Sequence, residues 1–506
     1  MSKAPRPSNF PPTRVVLSQS GEATTHYELG VMYSHDQSPL RDDAMAARWF
    51  RSAADLGHVR AQYALAAMYG EGKGVPQDAG EAAAWLLRAA EQGFPPAQHA
   101  VARRYAVGEG VRQDLVESAE WCRKAAREGY ADAQNDYGVM CEHGRGVPRD
   151  HAEAVAWYRK AANDGHAPAQ NNLGYMYQRG RGVQEDMTEA RRLYREAAEQ
   201  GLASAQLNLG ILYGRGQGVA QDLAEAFRWF SKAAEQGLPV AQNNLGLLHE
   251  RGQGTGQSLE EAAKWYRRSA EQGYAQAQNN LGVCYEAGRG VARDAAEARK
   301  WFRKAAVQGL AAAQYHLGVM SESGLGAPTD YAEAHRWFRA AADQGHASAQ
   351  FALGVLYDRG FGVRQDDGEA VRWYRRAAEQ GDAAAEFNLG TMCCEGRGTP
   401  QDYVEGHKWL NLASARFLPV EAKKRARAIR NRDLLARRMT PDDIAKAHLL
   451  AREWKPAPWV SPDASGKSNA STSDDSTSTG VAEDPDKVHL QWLSSSRVRR
   501  NVDKPG

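Results

Sequence analysis

Residues 203–237 read ASAQLNLGILYGRGQGVAQDLAEAFRWFSKAAEQG, and their spacing decides the fold. Ala205, Leu209, Leu212 and Tyr213 fall on one stripe of a 3.6-residue period, which predicts a short amphipathic helix, here called helix A. Gly214, Gly216 and Gly218 stop it, because glycine accepts positive φ and costs about 1 kcal/mol inside a helix. Asp222 with Glu225 three places later is a helix-start signal whose side chains satisfy free backbone N–H groups. Helix B begins there, with Ala226, Trp229, Phe230 and Ala233 on its apolar stripe and Gly237 where a left-handed C-terminal cap belongs.

Outward from this stretch the pattern repeats every 36 residues. Its helix-A glycine recurs as Gly30, Gly138, Gly174, Gly210, Gly246, Gly282, Gly318, Gly354 and Gly390, with Ala66 and Ala102 between. The tryptophan recurs as Trp49, Trp85, Trp121, Trp157, Trp229, Trp265, Trp301, Trp337, Trp373 and Trp409, interrupted by Leu193. The start signal recurs from Asp78 with Glu81 to Asp402 with Glu405, Ser258 with Glu261 being its one serine variant. Capping explains both the residue types and the spacing of these pairs, so they read as structural and not as catalytic carboxylates. Eleven helix-turn-helix units run over residues 25–420 without insertion or deletion, which predicts an all-α, α/α solenoid whose units bury their apolar faces against one another. One buried tryptophan contributes at most ~4–6 kcal/mol before chain entropy is charged against it, so stability must come from stacking.

The consensus A-x-A-Q-x-N-L-G-x-L-Y-x-x-G-x-G-V-x-x-D-x-x-x-A-x-x-W-F-x-K-A-A-E-Q-G, taken from Ala203 to Gly237, resembles the Sel1-like repeat, a relative of the tetratricopeptide repeat. The resemblance implies antiparallel helix pairs stacked in a right-handed superhelix, and a role in holding protein complexes together. The stretch from Lys408 to Ala413 and that from Met439 to Trp454 resemble the closing helices of bacterial members, which implies a bacterial source. Some cysteine-rich bacterial relatives act on β-lactams. Their stapling cysteines are replaced here by Ala234, Gln242, Ala270 and Gln278, so that activity is not carried over.

Residues 1–24, rich in proline, read as a disordered arm. The first unit is degenerate, with Asp36 and Ser38 in place of loop glycines and Met45 in place of the capping glutamate. Residues 421–454 read as basic capping helices, and 455–506 as a disordered Ser/Thr/Asp/Pro-rich tail in which Val488 to Leu493 is an apolar island. Lys and Arg total 64 against 62 Asp and Glu, a net charge of +2, which argues against a nucleic-acid-coated surface. No run approaches the ~18 apolar residues of a spanning helix, and no secretory signal is recognisable, so the cytoplasm is the expected compartment. Five cysteines out of register with the repeat give no disulfide framework. Fourteen histidines form no zinc motif. Gly466-Lys467-Ser468 lacks the first glycine and the strand of a phosphate loop. No catalytic residue, cofactor or metal is expected.

A second stripe of helix A, at positions equivalent to 207, 211 and 214, is expected to line the concave face. Its first position reads Asn135, Asn171, Leu207, Asn243, Asn279, Tyr315, Phe351 and Phe387. Asparagine both donates and accepts, so a ladder of them suits an extended peptide backbone. The third position runs Glu250, Glu286, Glu322 and Asp358, an acidic rail for a basic segment. In the competing reading the asparagines bond neighbouring helices and the rail is a solvated helix end beside Arg251 and Arg359. The first expectation is a non-catalytic adaptor for a protein or peptide. The second is contact of the basic helix at 421–438 with nucleic acid or an anionic membrane. A third is an exported, host-directed effector.

Overall fold

The computed structural model describes residues 16–35 and 40–457, with side chains from residue 21 onward. Asp36 and Ser38, the phosphate-loop-like triplet and the apolar island at 488–493 lie outside these residues. Among them the chain is all-α, a solenoid of helix pairs. The contacts divide it into an N-terminal block, to Gln236, and a C-terminal block from Gly237.

The repeat is best seen at 275–310. Helix A, Ala275–Ala287, and helix B, Ala295–Val307, have 13 residues each. Gly288 ends helix A at φ 69°, and the Arg289 N–H closes back on the Cys284 carbonyl at 2.9 Å, the six-to-one bond of a Schellman end. The loop is tied by the Asp294 N–H to the Tyr285 carbonyl at 3.0 Å. The Asp294 carboxylate then accepts from the N–H groups of Ala296 and Glu297 at 2.9 and 3.0 Å. These are the donors that a helix start leaves orphaned. Asp294→Ala is expected to cost about 1 kcal/mol, read as a lower urea midpoint with an unchanged slope.

The second loop glycine, Gly290 at φ 68°, has a reason outside its own repeat. A Cβ there would lie on the carbonyl oxygen of Leu259, at the start of the preceding helix B. Backbone packs directly on backbone at this joint.

The glycine inside helix A is explained by an aromatic ring. A Cβ on Gly246 would meet the Tyr266 ring at 2.7 Å, and on Gly282 the Phe302 ring at 2.7 Å. The ring from helix B therefore lies on bare helix-A backbone, and the helix cost of glycine is offset by closer packing. Where helix A carries Ala66 or Ala102, the residue twenty places on is the smaller Leu86 or Cys122. Volume is traded across the pair.

Successive repeats are joined by glutamine. The Gln278 amide donates to the Ala270 carbonyl at the end of the preceding helix B, and Gln314 does the same to Ala306, both at 3.1 Å. The same glutamines accept from Gln308 and Gln344 of their own repeats at 2.8 Å. Orphan helix-end carbonyls are thereby satisfied in the interior.

The ends differ from the reading of the sequence. The first helix spans Val16–Ser34, so it begins inside the stretch expected to be a disordered arm. Every later helix A is preceded by a Gln-Gly-type turn that fixes its start; no such turn stops this one, and Ala23 is buried. At the other end a 3-10 turn, Pro419–Glu421, leads into Ala422–Ala436 and then Pro441–Glu453. Ala428 and Ala447 are buried against the last repeat, and Trp454 meets Trp409 edge-on at 5.6 Å.

Candidate protein-binding surface

Adjacent A helices are tied by asparagine pairs. The amides of Asn172, Asn208 and Asn280 donate to the side-chain oxygens of Asn135, Asn171 and Asn243, each at 2.9 Å. Asn135, Asn171, Asn243 and Asn279 are only 3–8% exposed, and Leu207 is buried with them. The expected open ladder is thus corrected: these amides brace neighbouring helices and do not face solvent. Where His316 replaces the next asparagine, it stacks on Phe302 at 4.6 Å, and the Asn279 oxygen is left buried without a donor.

The open stripe runs instead through positions equivalent to 204, 208 and 211, and shares only 211 with the expected set. In the C-terminal block this gives Ala312, His316 and Val319, then Ser348, Ala352 and Val355, then Ala384, Asn388 and Thr391, all half-buried. The strip carries no carboxylate, lysine or arginine. Tyr315, Phe351 and Phe387 of the expected set are half-buried beside it. Tyr315 stacks on His346 at 4.8 Å, and the Arg427 guanidinium stands 5.2 Å from the Phe387 ring.

The acidic rail divides into two kinds of carboxylate. Glu250 accepts from the Tyr266 hydroxyl at 2.7 Å and pairs with Arg289 at 3.3 Å. Asp358 faces the Tyr374 hydroxyl at 3.4 Å and pairs with Arg397 at 2.5 Å. Glu142 and Gln178 likewise accept from Tyr158 and Tyr194 at 2.8 Å. These side chains satisfy buried phenols, which burial pushes far above their ordinary pKa. Tyr266→Phe is expected to cost ~2 kcal/mol, with a double-mutant cycle against Glu250→Gln recovering most of it as coupling.

Glu286 and Glu322 face Phe302 and Phe338, which have no hydroxyl to offer. Burial holds both carboxyls above the usual range, Arg293 offsetting this in part for Glu286 and Arg359 for Glu322. Glu286 lies 3.7 Å from His316, at the edge of the uncharged strip.

The basic helix Ala422–Ala436 exposes Lys423, Lys424, Arg425, Arg427 and Arg430. Arg432 is turned inward to Asn411 at 3.2 Å and to Asp433 at 2.8 Å. The five cysteines are free thiols, four of them buried. Among the described residues no three His, Cys, Asp or Glu side chains converge as a metal cage, and no helix is long and apolar enough to cross a membrane.

The Sel1 repeat model matches eleven consecutive segments, from 23–58 through 203–238 and 275–310 to 383–416. Among solved structures, the chain is similar to a protective antigen of uropathogenic Escherichia coli strains with an SLR fold. That match has 36% identity and a TM-score of 0.73, over 91% of this chain and 98% of the other. It is also similar to a Sel1 repeat protein of Oxalobacter formigenes, at 34% identity and a TM-score of 0.47, over 60% of this chain and 88% of the other. No curated protein sequence matches. With eleven matched repeats covering most of its length and a full-length relative of the same architecture, the chain belongs to the Sel1 repeat family.

Proposed function

We propose that the protein is a non-catalytic adaptor that holds an extended segment of a partner protein on the A-helix face of its C-terminal block. The uncharged strip from Ala312 to Thr391, edged by Glu286 and Glu322, carries this reading. Small side chains let a partner backbone approach, the flanking rings of Tyr315, Phe351 and Phe387 supply apolar contact, and carboxylates without a tyrosine partner suit a basic residue at the strip's edge. The rail residues Glu250 and Asp358 contribute less, because each already holds a hydroxyl and an arginine.

The test places a photo-crosslinking amino acid at Val319 or Val355, and at exposed Arg372 of a helix B for comparison. Protein adducts from the first two sites and not the third are expected, with loss on Val355→Arg. Equal crosslinking at all three sites, or nucleic acid as the sole adduct, overturns the reading. A second reading rests on the row of exposed basic residues from Lys423 to Arg430: contact with nucleic acid or an anionic membrane. It requires binding that falls steeply with salt and is insensitive to Val355→Arg.

A further inference from the structure

Leu193 stands where ten other repeats have tryptophan, and the structure shows what the missing ring leaves behind. Trp85, Trp301 and Trp373 each pack among an alanine 31 places earlier, a leucine 20 places earlier and a tyrosine 16 places earlier: Ala54, Leu65 and Tyr69 for the first, Ala270, Leu281 and Tyr285 for the second, Ala342, Leu353 and Tyr357 for the third. At Leu193 the same three positions are Ala162, Leu173 and Tyr177, and all three line a cavity of about 310 Å³. That lies at the lower end of volumes that hold small ligands, ~300–1,000 Å³.

The polar groups that serve an indole are also in place. Arg51 lies 5.2 Å from the Trp85 ring and Arg339 5.1 Å from the Trp373 ring. The equivalent cation here is Arg159, which lines the cavity and bonds the Tyr177 hydroxyl at 3.0 Å. The Trp337 ring N–H donates to Glu333 at 3.3 Å and that of Trp157 to Glu153 at 3.4 Å, in both cases four places earlier. The equivalent carboxylate is Glu189, also at the cavity wall. One feature is inverted: a lysine or arginine usually follows the tryptophan by three, as Lys304 follows Trp301 at 3.9 Å, but Glu196 stands here. Glu196 accepts from Gln170 at 3.1 Å and is bridged to Glu189 by Arg192, whose side chain is 53% exposed over the opening.

We infer that this cavity is a binding site for the tryptophan side chain of a partner protein. The ring would slide beneath Arg192, meet Arg159 across its face and donate its N–H to Glu189, combining contacts that sister repeats make separately, the arginine at Trp85 and Trp373 and the carboxylate at Trp157 and Trp337. The cavity wall includes the exposed side chain of Arg192, so a ring carried on a chain can reach it from solvent. This site lies on the B-helix side of the N-terminal block and is independent of the A-helix strip.

Saturation-transfer NMR with N-acetyl-L-tryptophanamide, and with N-acetyl-L-leucinamide as the aliphatic control, tests it on the full chain. Transfer to the indole protons is expected with the natural protein. Leu193→Trp, which fills the site from within, should weaken binding by at least ~10-fold while raising the melting temperature. Leu193→Ala, which cannot overfill the site, should bind at least as tightly as the natural chain, and Arg159→Ala more weakly. Absence of transfer to millimolar concentration, equal transfer with Leu193→Trp, loss of binding in Leu193→Ala, or binding of free indole without the capped amino acid each overturns the proposal.

Discussion

Gly290→Ala lowers the stability of the C-terminal block by about 3–4 kcal/mol, whereas Gly288→Ala, two residues away, costs only about 1 kcal/mol. The pair is chosen because the backbone torsion is nearly identical, φ 68° and 69°. Left-handed strain on an alanine is therefore common to both. The difference lies in what the new methyl meets. At Gly288 it lies 3.3 Å from the Cβ of Arg293, a contact that a surface loop absorbs. At Gly290 it falls on the Leu259 carbonyl, which belongs to the first turn of a helix and cannot retreat without separating two repeats. Urea unfolding followed by circular dichroism measures both. Equal losses for the two variants would show that the joint yields and that torsion alone sets the cost.

Stability of the last repeat falls as pH rises from 5 to 8, and Glu386→Gln abolishes the fall. Glu386 occupies the place of the joining glutamine and is wholly buried, with Arg416 2.9 Å away. Burial pushes its carboxyl up to about 8, the Arg416 guanidinium offsetting this only in part. The folded chain thus binds a proton that the unfolded chain releases near the ordinary glutamate value, about 4.3. The stabilisation is fully present below that value and is lost as pH climbs through the folded one. At about 1.4 kcal/mol per unit, the rise from pH 5 to 8 carries at most ~4 kcal/mol. A protonated carboxyl also has the donor that Gln350 uses on the Ala342 carbonyl at 3.1 Å, which a carboxylate lacks. Neighbouring Asp382 is raised by burial too, so the comparison with Glu386→Gln isolates the effect. Hydrogen exchange over 383–395, corrected for intrinsic pH dependence, provides the readout. Parallel curves for the two proteins would assign the effect elsewhere.

Much of this was legible from residue spacing. Asp294 and its equivalents cap the helices they were expected to cap, Gly288 and its equivalents end helix A, and the period runs through without a break. Of the expected open face only the position equivalent to 211 is open; the asparagine position beside it is buried. A helical period fixes a stripe only approximately, and one repeat cannot say which flank of helix A meets the next A helix; the bonds from Asn172 to Asn135, Asn208 to Asn171 and Asn280 to Asn243 show it. The rail illustrates a second gap. That Glu250 holds a buried hydroxyl follows from Tyr266 sixteen places later, and the matching pairs Glu142 with Tyr158 and Asp358 with Tyr374 were present to be compared. The joining glutamines recur with the period, but their role was not legible, since glutamine at a helix start reads as exposed until the carbonyl it serves is seen to be buried.

The unbroken period has a consequence for how such a chain changes length. If residues 311–346 were removed, Gln350 would meet the Ala306 carbonyl, which already accepts the same bond from Gln314. Gly362 would rest on Ala295, where Gly326 now lies. These joints at the splice would keep the same kind of partner, the difference being that Ala352 would stand where His316 now meets Phe302 and Glu286. The length of the A-helix face is therefore counted in whole repeats, lengthened or shortened by integer steps while each remaining joint is kept.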